Sequence, residues 1–137
     1  MKPAARLLLL VLAACGATAA PPPVAPKSVE INRAGAMVDI TAALVPGSVT
    51  VVDFWSESCG ACTTVAGMLA VQTANEPRVV VRKVDVGDGF TPVAKAYDIS
   101  ALPHFKIYDT KQRLRYELVG GDCLRASELA RQLLAEP

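Results

Sequence analysis

Thr50-Val51-Val52-Asp53-Phe54-Trp55 is β-branched and aromatic almost without a break, and the chain then reads Cys59-Gly60-Ala61-Cys62. Such an apolar run suits a central strand covered on both faces. The segment Cys59 to Ala74 reads as a helix, so a cysteine pair stands where a buried strand gives way to a helix N-terminus. A fold that accommodates this junction needs helices on both sides of a sheet.

The flanking sequence supplies them. Ser28 to Asn32 reads as a short strand, and Met37 to Val45 as a brief helix ended by Pro46-Gly47. Val79 to Val86 is a second buried strand. Thr91-Pro92 starts another helix, with an N-cap followed by proline at the first helical position, and it ends near Tyr97. Phe105 to Tyr108 and Leu114 to Leu118 both alternate, and the polar link between them marks an antiparallel hairpin. Ala126, Leu129, Ala130, Leu133 and Leu134 recur at the spacing of an amphipathic closing helix. The order βαβαβαββα predicts an α/β three-layer sandwich, a mixed sheet with helices on both faces, and there is no internal repeat.

The N-terminus has a different character. Lys2 and Arg6 precede an apolar run from Leu7 to Ala14 that is too short to span a bilayer, the pattern of a secretion signal over residues 1–14. Leu12-Ala13-Ala14-Cys15 resembles the lipobox of bacterial lipoproteins, which implies cleavage before Cys15 and lipid on its sulfur. Cleavage after Ala17-Thr18-Ala19, giving a soluble secreted chain, is the alternative. Residues 15–27 hold Pro21, Pro22, Pro23 and Pro26 and read as an extended tether that forms no core. Residues 28–137 are left for the folded domain. The formal net charge of the 137 residues is +1, and the basic residues are scattered, so nucleic acid is excluded as an expected partner.

At a helix N-terminus the backbone N–H groups and the helix dipole favour a thiolate, the attacking species in disulfide exchange. Cys59 is therefore expected to attack, and Cys62, one turn on and more buried, to resolve the mixed disulfide. Two other readings exist. Half of a zinc site would need two more ligands, for which only Cys123 and His104 remain. A structural bridge over so short a loop would add little stability.

With these residues in place, the stretch from Ser28 to Ala135 resembles the thioredoxin family. Val51 to Trp55 with Cys59-Gly60-Ala61-Cys62 is similar to that family's active-site segment, and Ile99-Ser100-Ala101-Leu102-Pro103 to its cis-proline loop. The resemblance implies a cis Leu102-Pro103 bond and substrate contacts at Leu102, Pro103 and Gly120, the last within Val119-Gly120-Gly121. It also implies that Asp53 is a buried acid exchanging a proton with Cys62, and that Lys83 belongs to the lysine-bearing strand beside it. Beside the resemblance, Lys83 reads as an ordinary solvated strand lysine and Trp55 as packing beneath the site, while His104, directly after the proline, reads as an exposed polar side chain, with tuning of the exchange as the alternative. Cys123 reads as a small buried apolar residue at the start of the last helix. Ser58 and Ala61 depart from the tryptophan and proline common in thioredoxins.

The activity implied is that of a protein-disulfide oxidoreductase, leaning to reduction or isomerisation, with no cofactor. Disulfide-containing exported proteins are its expected substrates. In an oxidising periplasm it needs a membrane thiol relay as electron donor. A monomer is expected, periplasmic or otherwise extracytoplasmic, reaching the membrane only through lipid on Cys15. The alternative is a non-catalytic binding module on the same fold, anchored in the same way.

Overall fold

The computed structural model describes Met1 and residues 24–137. The leader, Cys15 and the triple proline lie outside the described residues. Five strands form one sheet in the order β1-β3-β2-β4-β5: β1 Ser28–Glu30, β2 Val49–Trp55, β3 Val79–Asp85, β4 His104–Tyr108 and β5 Leu114–Val119. The helices are α1 Gly60–Gln72, α2 Pro92–Ala96 and α3 Ala126–Ala135, with 3-10 turns at Ile40–Ala43 and Gly120–Arg125. The pairings β1–β3 and β3–β2 are parallel, and β2–β4 and β4–β5 antiparallel, which makes the sheet mixed as the element order predicts.

β2 lies at the centre because its two faces are equally apolar. Val49 and Val51 pack with Val65 and Leu69 of α1 and with Leu129 and Leu133 of α3. On the other face Val52 and Phe54 pack with Ile40, Val93 and Ile99. Each such side chain, fully buried, contributes on the order of 1.5–3 kcal/mol.

Element boundaries depart from the sequence reading where side chains replace backbone pairing. β1 stops at Glu30 because Asn32 continues the contact with β3 through its amide. Its Nδ2 donates to the Asp85 carbonyl and its Oδ1 accepts from the Asp85 N–H, both at 2.9 Å. The helix expected over Met37 to Val45 is a single 3-10 turn, capped by Asp39, whose Oδ1 accepts from the Thr41 N–H at 2.9 Å. Cys123 belongs to the 3-10 turn that precedes α3 rather than to the helix itself.

Where the chain enters the domain it is tied at once to the end of α1 and to β3. Lys27 Nζ donates to the carbonyls of Thr73 and Glu76 at 2.7 Å, just past the end of α1. Arg82 of β3, 5% exposed, donates to the carbonyls of Pro26 and Ala43 at 3.1 Å.

Candidate active site

The strand-to-helix junction read from the sequence is where the two cysteines meet. β2 ends at Trp55, Cys59 caps α1, and the two cysteines are joined as a disulfide with their Cα atoms 5.3 Å apart. The Cys62 N–H donates to Cys59 Sγ at 3.1 Å, so a backbone donor of the first helical turn already points at the sulfur expected to carry charge. Cys59 is partly exposed and Cys62 is 1% exposed. That difference gives one sulfur to incoming partners and keeps the other beneath it. α1 itself carries no charged residue, and Met68 and Val71 on its outer side are exposed.

Asp53 lies on β2 two residues before Trp55, facing α1. It is 1% exposed, and neither carboxyl oxygen has a hydrogen-bond partner. Burial pushes its carboxyl up to about 7, with the positive charge of Lys83 acting in the opposite direction. Asp53, Trp55, Cys62 and Lys83 line one small cavity of about 120 Å³. A second, larger cleft of about 410 Å³, walled by Leu69, Ala70 and Val81, also reaches Asp53. The acid and the buried cysteine therefore share a space in which a proton can pass.

Lys83 is not the solvated lysine the sequence suggests. Its ammonium lies 4.0 Å from the centre of the Trp55 ring and 3.8 Å from Glu30 Oε1. Glu30 escaped the sequence reading because its position opposite Lys83 comes from strand pairing, and no local pattern records that.

The Leu102-Pro103 bond is cis. The Pro103 carbonyl accepts from the Gly120 N–H at 2.8 Å, and Gly120 has φ +59°, a conformation suited to glycine. Leu102 is half-buried and Pro103 buried. Cys123 packs behind this loop, 1% exposed, its thiol donating to the Leu118 carbonyl at 3.3 Å and reaching the Pro103 carbonyl at 3.6 Å. Burial pushes that thiol up to about 11, so it stays protonated and apolar in behaviour, as expected of a buried cysteine.

His104 is a correction. It was expected at the surface, yet it is 4% exposed, with Nε2 2.7 Å from Glu117 Oε1 and Nδ1 without a partner. β4 begins at His104 itself, one residue before the alternating segment that marks it in the sequence. The face that alternates away from Phe105 is covered by Phe54 and not by water, with ring centroids 5.9 Å apart.

The thioredoxin family model matches residues 40–134. The chain belongs to the thioredoxin family. A thioredoxin of Aspergillus fumigatus is 32% identical over 93 residues, which cover 68% of this chain and 85% of that protein. The thioredoxin of Mycoplasma pneumoniae is 34% identical over 62 residues, 45% of this chain and 60% of that protein. Among solved structures, the reduced thioredoxin preprotein of Schistosoma mansoni superposes with a TM-score of 0.62 at 24% identity, covering 79% of this chain and 99% of that one. The likeness to that structure speaks for the thioredoxin fold alone. For a thioredoxin-family domain that retains a bonded, closely spaced cysteine pair, the chemistry at family level is thiol-disulfide exchange.

Proposed function

We propose that this thioredoxin-family domain reduces or reshuffles disulfides of exported proteins through Cys59 and Cys62, with Asp53 as the base of the second step. One observation carries the reading: a partly exposed Cys59 caps a helix, and a buried Cys62 lies behind it beside an unpaired buried acid. In the first step the Cys59 thiolate attacks a substrate disulfide. A Cys59–substrate bond forms, and the other substrate sulfur leaves as a thiolate. In the second, the Cys62 thiol gives its proton to the Asp53 carboxylate and its sulfur bonds Cys59. The mixed disulfide breaks, and the remaining substrate sulfur leaves with the electron pair. The bonded pair is then returned to the dithiol by a thiol relay at the membrane.

Leu102, Pro103 and Gly120 are the substrate-binding residues in this reading, holding the peptide next to the bonded sulfurs. Extracytoplasmic placement rests on the leader and on Leu12-Ala13-Ala14-Cys15, with lipid on Cys15 as the only membrane attachment. Two measurements test the proposal. Wild type, with a thiol reductant to regenerate it, should reduce a disulfide-bonded exported protein, and Cys59→Ser should not. Equal rates would leave a binding module as the better account. Mass spectrometry of membrane-extracted protein should find diacylglycerol on Cys15, and a soluble product beginning at Ala20 would refute the anchor.

A further inference from the structure

Three charged side chains cross the sheet at one register. Glu30 of β1 pairs with Lys83 of β3, and Lys83 pairs with Asp53 of β2. Laterally paired residues present their side chains on the same face, so a carboxylate, an ammonium and a carboxyl follow one another from solvent into the interior. The exposure of the side chains falls from 58% at Glu30 to 27% at Lys83, and Asp53 is 1% exposed. The ammonium is nevertheless drawn to the outer end of the row. It lies near Glu30 Oε1 and over the Trp55 ring, while both Asp53 oxygens are without partners.

We propose that Glu30 is a positioning residue for the redox site: by holding the Lys83 ammonium outward, over Trp55, it keeps that charge off the Asp53 carboxyl. The inference rests on the reading of Asp53 as the base that takes the Cys62 proton. Coulomb attraction grows as distance shrinks, and more steeply in a dry interior than in water. A lysine that moves from the outer to the inner end of the row therefore favours the Asp53 carboxylate.

The other groups facing Asp53 are not placed to act in this way. Cys62 of α1 is its proton donor. Cys123, from the turn before α3, stays neutral because burial pushes its thiol up to about 11. Lys27 lines the same larger cleft, but its ammonium is engaged by the Thr73 and Glu76 carbonyls. The β4 residue paired with Asp53 is Phe105, which is apolar. Among the described residues, Lys83 is the cation whose position can vary, and Glu30 is the group that holds it out.

Carbon NMR titration of the Asp53 carboxyl in the full chain tests this directly. Glu30→Gln should lower its midpoint by about half a pH unit, the size expected of a surface ion pair, and Lys83→Gln should raise it. In a Lys83→Gln background, Glu30→Gln should have no further effect, because its action passes through the lysine. A midpoint that stays put or rises in Glu30→Gln overturns the proposal. So does an equal shift in both backgrounds, which would make the effect a direct one. Glu30 faces solvent, so its variant is expected to fold. The titration reads Asp53 whether or not disulfides turn over, so failure of the catalytic reading would show in activity and failure of this one in the midpoint.

Discussion

His104 Nε2 and Glu117 Oε1 lie 2.7 Å apart, joining the strand that follows the cis-proline to the strand that leads into Gly120. Lys106 reaches the same oxygen at 3.2 Å. Partial burial would raise the Glu117 carboxyl, but the hydrogen bonds from His104 and Lys106 outweigh it and hold the group below its usual range. Glu117→Ala would leave a second ring nitrogen of a buried histidine unpaired, since Nδ1 already lacks a partner. The expected cost is about 1–3 kcal/mol, read as a lower urea midpoint at pH 7. An unchanged midpoint would mean that water or the chain re-pairs the ring at no cost.

The two cysteines should respond unequally to substitution. Cys62→Ser keeps the nucleophile and loses the resolving thiol, so it should accumulate mixed disulfides with partners that survive non-reducing electrophoresis. Cys59→Ser should trap none. Equal trapping by both variants would contradict the assignment of attacking and resolving roles.

Asp53 should make the fold pH-sensitive in a defined direction. An ordinary Asp titrates near about 3.9, and this one is pushed up to about 7 by burial. Between these values the folded state holds more protons than the unfolded one, so stability should fall as pH rises from about 4 to 7 and then level off. Asp53→Asn should remove that slope and be the more stable form above pH 7, by roughly 2–4 kcal/mol. Denaturant midpoints across this range check the sign. In rapid mixing, the same variant should slow release of the mixed disulfide more than its formation.

Asp109 should act in the opposite sense. It is 3% exposed. Its Oδ1 accepts from the N–H groups of Lys111 and Arg113 at 2.9 Å, and its Oδ2 from Arg113 Nε at 2.8 Å and Arg115 Nη1 at 3.3 Å. Burial alone would raise its carboxyl, but these bonds outweigh it and hold the group far below the usual range. Its contribution is therefore complete above about pH 4, where an unfolded Asp is ionised, and is lost as pH falls toward the folded value. Asp109→Asn should cost about 1–3 kcal/mol at pH 7 and progressively less below pH 4.

The parts of this molecule legible in the sequence are those whose cause is local. The run Val51 to Trp55, the Cys59 cap, Thr91-Pro92 and the spacing of Ala126 to Leu134 each state a strand, a helix start or an amphipathic face within a few residues. Asp53 and Pro103 were legible because their neighbours match the family's motifs. His104, Glu117 and Glu30 were not, because each owes its role to a residue on another strand. Which strands adjoin is decided by the packing of the whole sheet. The shortened turn at Ile40–Ala43 is a miss of another kind, because its cause is local: the segment is capped at Asp39 rather than starting at Met37, which leaves room before Pro46 for a single turn only.

Lys27 reaches the end of α1, and Cys59 caps its start. The helix between them has 13 residues, about 20 Å at 1.5 Å per residue. The chain entering the domain is thus gripped at the foot of this helix by Lys27, and Arg82 of β3 holds the Pro26 carbonyl just before the three-residue β1. The reactive sulfur stands at the opposite end of α1 from the point where the chain enters the domain, so a domain held at that entry point would present its sulfur away from the hold.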